Sequence, residues 1–170
     1  MRILAAVVMV LFAGTAVAQD HQHKHAPYVG MTTRQVKALS EQQVADLRAG
    51  RGMGLALAAE LNGYPGPMHV LELADRLSLS SDQRQRIQKL FETMKDEAVV
   101  VGEKLIDAET ALDRVFRDRS MTPSHLTELT TQVGRLQGEL RAVHLKYHLT
   151  TAEQLSAEQS KRYAELRGYQ

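Results

Sequence analysis

The chain has 170 residues, a formal net charge of +1 at pH 7, and neither cysteine nor tryptophan. The lack of cysteine excludes disulfides, thiolate metal ligands and cysteine nucleophiles, and the balanced charge gives no electrostatic footprint for nucleic acid. Any metal chemistry must therefore use histidine, methionine or carboxylate side chains.

The first 18 residues have the pattern of a secretory signal peptide. Arg2 supplies a positive start, residues 3–12 are almost unbroken apolar sequence, and Ala16-Val17-Ala18 is a small-residue cleavage site. We therefore expect export to the periplasm, with cleavage before Gln19. No other stretch reaches the roughly 18 apolar residues needed to cross a bilayer, so we expect no membrane span after cleavage.

Residues 19–38 form a histidine-rich leader that we expect to be flexible, because they show no apolar period. If Gln19 is the mature N-terminus, His21 is the third residue. At that position the α-amine, two amides and the imidazole can hold Cu(II) or Ni(II) in a square plane. With His23 and His25, it could instead bind Cu, Ni or Zn weakly, or the leader could be a solvated segment without a ligand.

We predict that residues 39–170 form a single all-helical domain. A Leu-Ser-x-x-Gln pattern begins at Leu39, Leu79 and Leu155. In each copy the serine can cap a helix, while the glutamine reaches back to the backbone N–H of that serine. The pattern therefore predicts three helix starts.

The first of these starts predicts a helix over residues 40–61, and a second short helix is expected over residues 68–76. Three glycines, Gly50, Gly52 and Gly54, interrupt the first helix. Each costs up to about 1 kcal/mol relative to alanine. The helix must therefore be kinked, or packed very closely against another backbone.

Two long segments carry apolar residues in alternating steps of three and four, from Ile87 to Val115 and from Leu126 to Tyr147. Thr122-Pro123 restarts the second segment with a capping residue and a proline in the first turn. Because the link is short, the two helices must be antiparallel neighbours. The predicted fold class is all-α, a long antiparallel helical hairpin with short flanking helices.

The signal peptide, the predicted hairpin and the repeated Leu-Ser-x-x-Gln pattern, here called the box, together resemble the Spy/CpxP (LTxxQ-motif) periplasmic family. This family includes ZraP-like and CnrX-like heavy-metal sensor and resistance proteins. The resemblance covers about residues 68–169. Its best local match is His144, followed eleven residues later by the box at Leu155 and then by Arg162-Tyr163. The box has serine where the family usually has threonine, which preserves the cap. The resemblance implies a role in envelope stress, as chaperone, regulator or metal sensor.

His144 and His148 are four residues apart on the second long helix, so both imidazoles project from one face, about 6 Å apart at Cβ. This spacing can chelate a transition metal. We expect the pair to lie at the edge of the groove, beside the apolar stripe of Val143 and Tyr147. The alternative is two solvated histidines that bind nothing.

The resemblance implies further ligands, because CnrX-like sensors combine a histidine at this helix end with His and Glu side chains from the preceding helices. In this chain those ligands correspond to His69, Glu72 and Glu92. The methionines outside the signal sequence are scattered, and they give no support for a methionine-lined copper site. They are Met31, Met53, Met68, Met94 and Met121.

No catalytic set of side chains is evident, so we expect no enzymatic activity. We expect a homodimer that binds a divalent transition metal (Zn, Ni, Cu or Co) and modulates metal sensing or resistance, through a membrane sensor or regulatory protein. Two alternatives stay open. The protein could be an ATP-independent chaperone of the Spy/CpxP type that binds unfolded clients, or a purely structural helix bundle.

Overall fold

The structure, a computed structural model, describes residues 28–169, and in that range it contains six α-helices, one short 3-10 helix and no β-strand. The signal peptide and the three leader histidines lie outside the described residues. The helices are α1 (Glu41–Arg48), α2 (Leu57–Glu60), α3 (Pro67–Glu72), α4 (Ser81–Arg117), α5 (Pro123–Ala152) and α6 (Ala157–Arg167).

The two longest helices, α4 and α5, pack along each other as the predicted antiparallel hairpin. Thr122 caps α5 by accepting from the backbone N–H of His125, and Pro123 occupies the first turn, as predicted. Leu105 and Leu136, from the two predicted stripes, are both buried, whereas Leu126 near the hairpin loop is 41 % exposed. The stripe of α5 is therefore buried or half-buried from Val133 onward.

All three predicted capping boxes are present, at the starts of α1, α4 and α6. The boxes of α4 and α6 also contact each other. Nε2 of Gln83 lies 2.9 Å from Oε1 of Gln159, and Nε2 of Gln159 lies 3.2 Å from Oε1 of Gln83. Each glutamine thus closes its own box and binds the glutamine of the other.

The single helix predicted over residues 40–61 is wrong, because the chain leaves the helical conformation between α1 and α2. Gly50, Met53 and Gly54 all have positive φ, at 65°, 43° and 79°. Glycine adopts this left-handed conformation without a steric penalty. The turn carries the chain over α4, where a Cβ atom on Gly50 would lie only 2.8 Å from the carbonyl oxygen of Lys95.

Two buried clusters form the interior. The larger one lies between α1, α4 and α5, and it includes Val36, which is 2 % exposed. The packed chain therefore begins inside the segment that the sequence assigns to the leader. The smaller cluster joins α3, α4 and α6 through Val70, Ile87 and Tyr163. In the described range, every helix is too short or too polar to cross a membrane.

Candidate metal site

α5 presents His144 and His148 one turn apart, and the segment carrying α2 and α3 covers them, so that they are only 2 % and 8 % exposed. Two glycines of that segment make room for the rings. A Cβ atom on Gly52 would lie 3.7 Å from Nδ1 of His144, and one on Gly66 would lie 2.7 Å from Nε2 of His148. The predicted groove-edge position is therefore wrong, and so is the alternative of solvated rings, because this segment closes over the groove.

The buried carboxylate of Glu60 lies beside His148. Its Oε1 accepts hydrogen bonds from the hydroxyls of Tyr163 and Tyr169, and its Oε2 accepts from the backbone N–H of Gly66 at 3.0 Å. Nε of Arg167 is 3.7 Å from Oε1. One side chain at the end of α2 thus connects the covering segment to α6 and the residues that follow it.

Glu60 also orients two imidazoles. Nδ1 of His69 lies 3.5 Å from its Oε1, and Nδ1 of His148 lies 3.5 Å from its Oε2. Nδ1 of His148 is also 2.7 Å from the carbonyl oxygen of Tyr64. Because a carbonyl oxygen can only accept a hydrogen bond, we assign the proton of the neutral ring to Nδ1. The lone pair of His148 is then on Nε2.

His144 is the most buried of the three imidazoles, and its Nε2 has no hydrogen-bond partner among residues 28–169. Burial, followed by the charge of His148, lowers the pKa of His144. The ring is therefore neutral at pH 7, the form in which an imidazole nitrogen binds a metal. A buried polar atom without a partner is costly, and a bound ligand would remove that cost.

The three histidines line one open pocket of about 590 Å³, together with Glu60. The rest of its wall is largely apolar and includes Met53, Leu57, Met68, Phe91 and Met94. The structure therefore brings together three of the predicted ligands, from α3 and α5. In the described part of the chain, however, no three His, Asp or Glu side chains are arranged to hold one ion.

Two predicted ligands lie elsewhere. Glu72 and Glu92 are exposed and outside the pocket, and Oε1 of Glu92 accepts a hydrogen bond from Gln88 on the surface of α4. Their assignment as ligands is wrong, because the register of α3 and α4 turns both carboxylates toward solvent. His21, His23 and His25 lie outside the described residues.

Sequence reasoning missed Glu60, the acidic side chain nearest to the histidines. One signal was available, because Glu60 is the only charged residue between Arg51 and His69. A lone carboxylate in an apolar stretch is costly to bury unless donors converge on it. Here the donors come from residues about a hundred positions away, which local patterns do not reveal.

Glu60 makes the stability of the protein pH-dependent. Burial would raise its pKa, but contacts with His69, the Tyr163 hydroxyl and the Gly66 N–H outweigh burial and lower the pKa to about 2, from an ordinary 4.5. As the pH falls, Glu60 therefore binds a proton in the unfolded state before it does so in the folded state. The stabilisation is complete above pH 4.5 and is lost as the pH falls toward 2.

We expect Glu60→Gln to lower the free energy of unfolding at pH 7 by about 1 to 2 kcal/mol, because charge-assisted hydrogen bonds are lost. The difference from wild type should shrink as the pH falls from 4.5 toward 2. Urea unfolding across this range measures it, with the exposed Glu72→Gln as control. A difference in unfolding free energy that is the same at every pH would contradict the lowered pKa of Glu60.

Comparison with known proteins gives no match to any family model, curated protein or solved structure. The site must therefore be interpreted from its own geometry.

Proposed function

We propose that this protein is an exported envelope-stress protein that binds a divalent transition metal (Zn, Ni, Cu or Co) and modulates metal sensing or resistance. The observation that carries the proposal is the convergence of His69, His144 and His148 on one solvent-connected pocket. Histidines gathered from two helices into an open pocket are a common basis for a transition-metal site.

The orientation of the rings supports the proposal. Metal-binding histidines usually direct their second nitrogen at a carboxylate or a backbone carbonyl, which sets the tautomer and strengthens the ligand. Nδ1 of His148 has both partners, Glu60 and the Tyr64 carbonyl, and Nδ1 of His69 faces Glu60. The Nε2 atoms of both rings are then left for a ligand.

A metal bound here would tie α3 to α5. Because Glu60 contacts both His69 and Tyr163, the same ion would also favour one position of α6. An ion that binds one arrangement of these short helices more tightly shifts the population toward it. We propose that this shift alters the surface offered to a second copy of the chain, or to a membrane sensor or regulatory protein.

The test is calorimetric titration of the mature chain with Zn, Ni, Cu and Co. The site variant is His144→Leu with His148→Gln, because leucine suits the buried position and glutamine can still donate to the Tyr64 carbonyl. We expect it to lose the tight binding component and the metal-dependent rise in melting temperature. In wild type, metal at a hundredfold excess over Kd should add roughly 2.7 kcal/mol to the free energy of unfolding.

Two controls separate this site from other histidines. Deleting residues 19–26 should remove only a weak component, because a leader of the kind that the sequence predicts would lose more entropy on binding than a folded site. His125→Ala, at the start of α5, should change nothing. If the leader deletion abolished all binding and the site variant bound metal normally, the pocket would not be the metal site.

One observation favours client binding as the second candidate function. Met53, Leu57 and Met68 are 42 %, 54 % and 45 % exposed, and all three line the pocket. Flexible apolar side chains of this kind suit an adaptable binding surface. Suppression of client aggregation without metal, weakened by Met53→Ser with Leu57→Ser, would favour the chaperone function.

A further inference from the structure

The pocket has too few nitrogen and oxygen ligands in one place to hold an ion alone, but it also contains sulfur. Among the described residues no three His, Asp or Glu side chains can hold one ion, yet three methionines line the same pocket as the histidines. They are Met53, Met68 and Met94. The sequence-based conclusion that the methionines are scattered is therefore wrong for these three, because the turn after α1 and the start of α3 fold onto α4.

The three methionines line the pocket from different parts of the chain. Met94 projects from α4 and is 7 % exposed, and Met68 precedes His69 on α3. Met53 has a φ of 43° between Gly52 and Gly54. This left-handed conformation is unfavourable for a non-glycine residue, and it is adopted in the stretch that lies over His144.

The only carboxylate in the pocket wall is already engaged. Glu60 accepts from two tyrosine hydroxyls and a backbone N–H, and it faces the Nδ1 atoms of two histidines. It is therefore a partner of the ligands and not a free oxygen ligand. What remains is imidazole nitrogen, which suits Zn, Ni and Cu, and thioether sulfur, which selects soft Cu(I). Arg51 and Lys95 also line the pocket, but they carry no lone pair to offer a metal.

We propose that this pocket binds a cuprous ion, Cu(I), through imidazole nitrogen of His144 or His148 together with thioether sulfur drawn from Met94, Met53 and Met68. The inference rests on the proposed function, since it adds a monovalent ion to the metals that the same pocket would take. It requires no redox step by the protein, because Cu(I) is bound as such. The buried, partnerless Nε2 of His144 and the buried Met94 form the inner end of the site.

The test is an anaerobic titration of the full mature chain with Cu(I) against a chromogenic cuprous chelator, in parallel with a Zn(II) titration. The sulfur variant is Met53→Leu, Met68→Leu and Met94→Leu, since Leu and Met have similar volumes and such exchanges are usually tolerated by a protein core. The matched control is Met31→Leu with Met121→Leu, which removes two methionines outside the pocket.

We expect the sulfur variant to bind Cu(I) at least about tenfold more weakly, with its Zn(II) affinity unchanged. The Met31/Met121 control should match wild type for both ions. X-ray absorption at the copper edge should show sulfur around copper in wild type and none in the sulfur variant. The leader histidines are present in every protein and carry no sulfur, so they cannot produce this signal.

Unchanged Cu(I) affinity in the sulfur variant, or a copper spectrum without sulfur in wild type, would overturn the cuprous assignment and leave the divalent-metal proposal standing. Binding of Zn(II) but not Cu(I) by wild type would do the same. If the His144→Leu, His148→Gln variant bound Cu(I) and Zn(II) as tightly as wild type, both proposals would fail.

Discussion

Leu136→Ala is expected to lower the free energy of unfolding by about 2 to 5 kcal/mol, the usual cost of removing a buried leucine and leaving a cavity. Leu136 is 1 % exposed and belongs to the cluster between α1, α4 and α5. Urea unfolding followed by circular dichroism measures the change. A loss of this size would show that the hairpin interface is a main source of stability.

The matched control lies on the same helix. Leu149 is 52 % exposed, so Leu149→Ala should change stability by no more than about 0.5 kcal/mol. The same chemical change is thus made at a buried and an exposed position of α5. If both variants lowered the free energy of unfolding by the same small amount, the result would contradict the packing of α5 on α4 described above.

Gly102→Ala is expected to destabilise the protein by about 1 to 3 kcal/mol through overpacking. Gly102 lies inside α4, where α1 crosses it, and a Cβ atom there would be 2.7 Å from the carbonyl oxygen of Leu47. Because the obstructing atom is backbone, α1 itself must move. Thermal and urea unfolding measure the loss.

Gly138→Ala on α5 should instead stabilise the protein. A Cβ atom at Gly138 would meet no atom of residues 28–169 within 4 Å, so alanine gains up to about 1 kcal/mol of helix propensity without a clash. The two variants should then differ by up to about 4 kcal/mol. Destabilisation of similar size at both positions would mean that α1 does not press on α4 at Gly102.

The long helices and their boundaries could be predicted because their signals are local. Each capping side chain accepts a hydrogen bond from a backbone N–H only three residues later, as at Ser80, Thr122 and Ser156. The apolar stripes of α4 and α5 repeat over many turns. The break between α1 and α2 was harder to place. Alternating glycines indicated an interruption, but they did not show whether the helix would kink or end, which depends on how close α4 lies.

The candidate site could be predicted only in part. His144 and His148 could be paired from helix spacing, whereas His69 was implied only by the family resemblance, and all three line one pocket. Glu60 and the methionines could not be assigned, because their positions depend on contacts between distant segments. Met53 and Met94, for example, are separated by 41 positions and by the whole of α2 and α3, yet they line the same pocket.

The reciprocal pair of Gln83 and Gln159 has a consequence for how the protein opens. If the first turn of α6 frayed, Gln83, which closes the capping box of α4, would lose its partner Gln159. If the first turn of α4 frayed, Gln159 would likewise lose its partner Gln83. Two chain regions 76 positions apart should therefore open as one cooperative unit. In native-state hydrogen exchange, the backbone amides of Gln83 and Gln159 should share one opening free energy, and Gln159→Ala should speed exchange at both.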